Sequence, residues 1–335
     1  MWLTLSVLAA LSFGTRGILY HWTSQKPINR NLLLFGAFTM GFIINLFCAL
    51  LLSSNWTMAA LIGMMMGLLS FGANGAMFKG FAVGKASLIA ILTALPSVIV
   101  VVIAYFLWGE KLNSAQLAAF IIIVAGILLV RYSNDLSLKN LKGAQWGLIA
   151  LMLFAFNDLS GKWSTLAEAE LFPTMVFMFG TGASCFLIWW LRDLRQERHQ
   201  RQEVLGEALA IIHGQNGAGT GTGLGAGTGV NAGTGAEATQ NVPHAASLEA
   251  TGSWSNKKTF LVGMGVGITN AVGMMFIVSA FDIGVTGLVS AVTSLNVLIV
   301  LLYTRFVVKE KFTRTEVAGI VLALIGIILM RLFQS

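Results

Sequence analysis

The sequence predicts an all-α integral membrane protein: about ten transmembrane helices in two inverted five-helix repeats. Three observations predict it. Of 335 residues, 56% are apolar and only 10% are charged, where a soluble domain carries roughly a quarter charged residues on its surface. The charges gather in short runs between apolar stretches of about 18 to 24 residues, the length a helix needs to cross roughly 30 Å of hydrocarbon. The chain also repeats itself. Shifted by 200 residues, Gly63-Met64 and Gly67 fall on Gly263-Met264 and Gly267, Gly84 on Gly284, and Thr93 and Leu95 on Thr293 and Leu295. In the same register Glu110-Lys111 falls on Glu310-Lys311, Gly126-Ile127 on Gly326-Ile327, and Arg131 on Arg331. Chance similarity between apolar helices matches Leu with Ile. It does not match a Glu-Lys pair and four glycines in one register.

The apolar stretches lie at approximately 2–21, 31–53, 57–79, 86–108, 114–131, 144–166, 172–191, 259–280, 285–306 and 315–332. Trp2, Trp22, Trp56, Trp108, Trp146, Trp163, Trp189 and Trp190 fall near their ends, where an amphipathic indole prefers the headgroup region. The first stretch reads as a span and not as a signal peptide, since it has no basic n-region and its first charge, Arg16, comes late. Residues 1–132 form the first repeat, and 143–191 with 258–333 form the second. The 192–257 segment interrupts the second as a linker. It opens with a charged stretch that can carry its helix into water. It then passes into a Gly/Thr/Ala run, Gly214 to Gly235, that cannot bury enough apolar surface to order itself. Its glycines alternate too regularly for a phosphate-binding loop, and no Gly-Lys-Ser/Thr follows, so no nucleotide site is expected. Five helices per half is an odd number, so the second half must enter the bilayer with the opposite orientation.

The net charge of +7 would suggest nucleic acid in a soluble protein, but here Lys and Arg mark loops. The loops after spans one, three, five, seven and nine hold Lys26 and Arg30; Lys79 and Lys85; Arg131, Lys139 and Lys142; the Arg192–Arg201 cluster with Lys257 and Lys258; and Lys309, Lys311 and Arg314. The opposite side has Lys111, Lys162 and Arg331. The positive-inside rule therefore places these odd loops in the cytoplasm and both termini outside a plasma membrane crossed many times. Cys48 and Cys185 both fall in apolar stretches and read as packing residues. His21, His199, His213 and His244 lack metal-ligand spacing, so neither metal nor other cofactor is expected. No nucleophile, base and orienting residue stand together, so no enzyme is expected.

The end of each half carries the more specific pattern. One runs from Gly84-Lys85-Ala86-Ser87-Leu88-Ile89-Ala90 through Pro96 to Gly109-Glu110-Lys111-Leu112 and Gly126; the other runs from Gly284 through Glu310-Lys311 to Gly326. On these residues the chain resembles the drug/metabolite transporter superfamily, and within it the ten-helix EamA-domain members, over everything outside 192–257. The resemblance implies a secondary permease for small organic metabolites or drugs, working by efflux or exchange through alternating access. Its partners would be a small-molecule substrate, membrane lipid and a proton as candidate coupling ion. A sugar or nucleotide-sugar importer is the alternative within the fold. A membrane-embedded lipid enzyme or flippase-like protein is the alternative from another class, and would need a catalytic polar cluster near one interface. Two features depart from the family pattern: the long Gly-rich linker, and Asn296 standing where Pro96 would repeat. The second puts in doubt an exact functional symmetry between helices four and nine. Substrate, direction, coupling ion and oligomeric state stay open.

A polar side chain deep in a membrane helix is costly and tends to face the bundle interior, which selects the candidate transport residues. Asp158 is the only carboxylate well inside a predicted span, in Phe156-Asn157-Asp158-Leu159-Ser160. Arg16 lies in the first span, and setting Trp22 against Trp163 places it opposite Asn157 and Gly17 opposite Asp158. The functional reading is a substrate or proton pathway at the interface of the halves, with Arg16 as the partner of Asp158. The structural reading is an Arg–Asp pair that holds the halves together. Low dielectric works against an ionised carboxylate, and a neighbouring guanidinium opposes that effect. Small multidrug exporters of the same superfamily use a membrane carboxylate on their first helix, and helix six is its counterpart here. Asn74, Asn270 and Asn296 form a second tier, either lining a cavity or bonding helix to helix. Pro96 reads as a gating kink or a static bend, and the paired glycines at 63/67 and 263/267 as close helix contacts. The two Glu-Lys pairs mark charged turns at span ends.

Overall fold

The computed structural model describes residues 1–24, 26–83, 89, 91–131, 143–217, 254–303, 306–307 and 313–332. The motif at 84–88, Glu310-Lys311, Lys139, Lys142 and the Gly/Thr/Ala run beyond Gly217 lie outside the described residues.

Every regular element among the described residues is helical. In chain order they are α1 (Trp2–Ser24), α2 (Arg30–Leu51), a 3-10 turn (Met58–Leu61) leading into α3 (Ile62–Val83), α4 (Pro96–Trp108), α5 (Ser114–Arg131) and α6 (Ala144–Leu166). There follow α7 (Leu171–Gly217), α8 (Asn256–Ile283), α9 (Thr286–Thr293), α10 (Asn296–Tyr303) and α11 (Arg314–Leu332). Seven stretches are long and apolar enough to cross a membrane: α1, α2, α3 with its 3-10 turn, the first part of α7, α8, α9 with α10, and α11. The helices α4 and α5 are apolar but shorter. At 23 residues α6 has the length, but Asn157, Asp158 and Lys162 interrupt its apolar run.

Helix ends follow local chemistry. The Asn29 side chain accepts the Leu32 N–H at 3.0 Å and starts α2. Gly109, at φ 66°, ends α4 in the left-handed region that glycine adopts without strain. The seventh helix does not stop near 191, because Arg, Glu, Gln, Leu and Ala are good helix formers. It continues to Gly217, so the first part of the segment read as a linker is helical. Asp193 on that extension accepts from the Asn29 and Asn31 side-chain amides at 3.1 and 2.7 Å, tying it to the start of α2.

Close packing of small residues sets the arrangement. Helix α2 packs on α7 and α8, α3 on α6 and α7, α1 on α8, α9 and α10, and α5 on α11. A Cβ added to Gly63 or Gly67 would run into the backbone oxygens of Thr174 and Met178 on α7. A Cβ added to Gly263 or Gly267 would run into those of Leu33 and Ala37 on α2. The α7 positions are related to the α2 positions by the displacement that sets Trp163 against Trp22. Phe38, Phe179, Phe186 and Phe281 fill the space between these helices. Apolar side chains such as Phe47, Leu50, Leu51 and Phe106 face outward, where hydrocarbon suits them.

Two helices break at equivalent points. Before α4, Ala94 N–H bonds Ile91 O at 3.0 Å, Leu95 N–H bonds Leu92 O at 3.2 Å, and Val98 N–H bonds Leu95 O at 3.1 Å. Between α9 and α10, Leu295 N–H bonds Val292 O at 3.1 Å and Leu298 N–H bonds Leu295 O at 2.9 Å. Pro96 sits in the first turn of α4, where its missing N–H would be unpaired anyway. The backbone break recurs at Leu295 where Asn296 stands in place of a proline. At the second break the Ser294 hydroxyl donates to Ser290 O at 2.9 Å.

Gly63→Val should destabilise the protein by about 3 kcal/mol or more, since the obstacle is backbone and cannot rotate away. Gly75→Ala on the same helix meets nothing within 4 Å and should be neutral or stabilising by up to about 1 kcal/mol. Thermal unfolding of the two variants in detergent checks the contrast.

Candidate functional site

The broken helices border a cavity of about 290 Å³. Its walls come from the middle turns of α3, α6 and α8, from α1, and from both breaks. All seven residues singled out in the sequence line it: Arg16, Asn74, Pro96, Asn157, Asp158, Asn270 and Asn296.

The contacts inside it differ from the expected ones. Arg16 does not pair with Asp158: among the described residues no ion pair within 4.0 Å joins them. The Arg16 Nη1 donates to Asn270 Oδ1 at 2.5 Å instead, because α1 packs along α8. Its guanidinium carbon lies 4.5 Å from the Phe13 ring centroid and 5.9 Å from that of Tyr20. Asp158 Oδ2 accepts from the Ser290 hydroxyl at 2.5 Å, across the contact between α6 and α9. Each of the two side chains thus has a neutral partner. Asn74 turns its amide to Ser70 O on its own helix at 2.7 Å, and Asn296 opens α10 at the cavity wall. Two buried oxygens on the wall have no hydrogen-bond partner, Asn157 Oδ1 and Thr293 Oγ1.

Sequence reasoning missed a second polar cluster. The sequence sets Lys162 with the cations of the sparse side, but it is buried inside the protein. Its Nζ donates to Phe281 O at 2.6 Å, lies 3.4 Å from Gly284 O and 3.8 Å from Glu110 Oε1. The Glu110 carboxylate also accepts the Thr286 N–H and the Thr286 hydroxyl, both at 2.8 Å. Glu110 therefore caps the start of α9 from another part of the chain, while Lys162 satisfies a carbonyl at the end of α8. The signal was available. Lys162 follows Asp158 by four residues, so it shares the helix face that a buried Asp158 turns inward. Among the described residues no group of His, Cys, Asp and Glu is placed to hold a metal ion.

The family model described as EamA-like transporter family matches residues 1–132 and 244–332. The chain belongs to the EamA-like transporter family. The matched stretches carry Arg16, Asn74, Pro96, Asn270 and Asn296, whereas Asn157, Asp158 and Lys162 fall between them on α6. No curated protein matches this EamA-like chain. A solved structure titled "Crystal structure of protein" is similar in fold, with a TM-score of 0.67, 13% identity, and coverage of 99% of this chain and 97% of that one. Family and apolar helices together make this EamA-like protein a multi-pass membrane protein of transporter type.

In this EamA-like protein Lys162→Met should lower stability by about 3–5 kcal/mol, because it strands a buried carboxylate and a carbonyl. Glu110→Gln keeps one acceptor for Thr286 and should cost about 1–2 kcal/mol. The order of apparent melting temperatures in detergent, Lys162→Met lowest and the unmodified protein highest, checks the assignment.

Proposed function

We propose that the chain is a secondary transporter that moves small organic metabolites or drugs across the plasma membrane by alternating access, as exporter or exchanger. The observation that carries this reading is the polar cavity, built from helices of both the first and last parts of the chain. A cavity that holds unpaired polar groups at the middle of apolar helices is a substrate site in the making.

Three features support two inverted repeats rocking about that cavity. Gly63 and Gly67 meet α7 as Gly263 and Gly267 meet α2. The helix breaks recur at the same register, and discontinuous helices typify transporter sites. Helix α5 packs on α11, its counterpart in the repeat. With Lys162 internal, the sparse side of the bundle has even fewer loop cations, which favours odd loops in the cytoplasm and termini outside. Asp158 is the group that would carry a coupling proton, since Ser290 leaves part of its carboxylate uncommitted. The Lys162–Glu110 cluster lies where α6 and α8 end and α9 begins. It would close the cavity on that side and part when the protein opens there.

Asp158→Asn should insert normally and abolish gradient-driven transport in proteoliposomes. Normal transport by this variant across a range of pH would show that the carboxylate is structural. Deleting 218–235 should leave membrane level and transport nearly unchanged, as cell fractionation and the same assay would show. A reporter fused after Ser335 should be active only if it works outside the cytoplasm.

A further inference from the structure

Three cations stand on aromatic faces at one end of the bundle, away from the cavity. The Arg30 guanidinium carbon lies 5.4 Å from the Phe78 ring centroid, Lys79 Nζ lies 4.1 Å from that of Trp146, and the Arg192 guanidinium carbon lies 5.2 Å from that of Trp189. Arg30 opens α2, Phe78 and Lys79 lie in the last turns of α3, and Trp146 lies in the first turn of α6. Arg192 is the first charge after the apolar part of α7. Packing joins them into one patch. Helices α2 and α3 both pack on α7. Trp189 lies 5.3 Å from Phe71, about two turns from Phe78 on α3. Asp193, beside Arg192, accepts from Asn29 and Asn31 on either side of Arg30. All three cations are exposed, and among the described residues none has a carboxylate within 4.0 Å. An aromatic face holds a cation in place without neutralising it. Ile188, Trp189 and Leu191 are exposed as well, so fixed positive charge adjoins an apolar strip.

We propose that this patch binds an anionic glycerophospholipid, with the headgroup phosphate on Arg30, Lys79 and Arg192 and an acyl chain along Ile188 of α7. Depth fits, because indoles such as Trp146 and Trp189 sit at the headgroup level of a bilayer. Chemistry fits too. A phosphate diester offers anionic oxygens to two guanidinium forks and an ammonium. Charge balance separates this ligand from its rivals. The phosphate of a choline lipid already has its own cation, so three cations without a carboxylate select a lipid of net negative charge. A free phosphate would meet the charges and leave the apolar strip unused. An anionic leaflet attracts any basic segment near its surface. The geometry here is more particular, since ring faces and the bonds of Asp193 hold cations from three helices at one place. Arg198 and Arg201, exposed on the α7 extension beyond the apolar strip, carry the same charge without that arrangement.

The test places the purified full chain in vesicles of phosphatidylcholine and phosphatidylglycerol in equal parts. The lipids that stay bound after extraction into detergent are counted by native mass spectrometry. Phosphatidylglycerol should be retained about tenfold or more over phosphatidylcholine, given a gain of about fivefold per cation at a membrane surface. Arg30→Gln combined with Lys79→Gln should bring the two lipids near parity. Arg198→Gln combined with Arg201→Gln removes the same charge and should leave the preference unchanged. If the first double variant does not fold, Arg192→Gln alone replaces it and should lower the preference about fivefold. Equal losses in the two double variants would overturn the site in favour of diffuse attraction to the basic side. Absence of a preference in the unmodified protein would overturn it as well. Inorganic phosphate added to the detergent solution separates the remaining source. It should neither displace phosphatidylglycerol nor raise the melting temperature, and if it does both, the patch holds a soluble anion and the lipid assignment fails.

Discussion

Hydrocarbon offers a backbone amide or a charged side chain no hydrogen bond, and this constraint orders the rest of the molecule. Among the described residues, backbone polar groups inside the bundle are paired largely within helices, and two of the places where the ladder loosens border the cavity. The same constraint explains Glu110 and Lys162. One helix ends and another begins within the protein, leaving N–H and carbonyl groups to be paired. A carboxylate and an ammonium from distant parts of the chain pair them, and each other.

Glycine makes the second contribution. Where Gly63 and Gly67 face Thr174 and Met178, and Gly263 and Gly267 face Leu33 and Ala37, the helices approach until backbone meets backbone. Contacts that tight hold neighbouring helices as close as their backbones permit. They bind α3 to α7 and α8 to α2, helices from opposite ends of the sequence, so the cavity walls are interleaved from both parts of the chain. Polar groups on α1 and α8 thereby come to face others on α6 and α9 across a small space.

Much of this could be read from the chain alone. Apolar runs marked the helices, and the cost of burying Arg16, Asn74, Asn157, Asp158, Asn270 and Asn296 marked the residues that now line one cavity. Pairing was harder to read. Opposite charges on the first and sixth helices suggest a salt bridge, but the packing partner decides which atoms meet, and α1 lies against Asn270 of α8. Lys162 was misjudged because its place near a span end looks like a loop, although its helical phase follows Asp158 inward. The break before Asn296 is hard to read because no proline announces it there as Pro96 does in the first half.

The two breaks also have an electrostatic side. At the second break the end of α9 and the start of α10 meet at the cavity wall, joined by short bonds such as Leu295 N–H to Val292 O and Leu298 N–H to Leu295 O. Such ends behave as partial charges of roughly half an elementary charge, negative at the carbonyl end and positive at the amide end. A continuous helix would have cancelled them along its length. By interrupting it, the chain places a fixed dipole of backbone origin in the middle of the membrane. That dipole cannot titrate, and it belongs to the backbone instead of to any side chain around it.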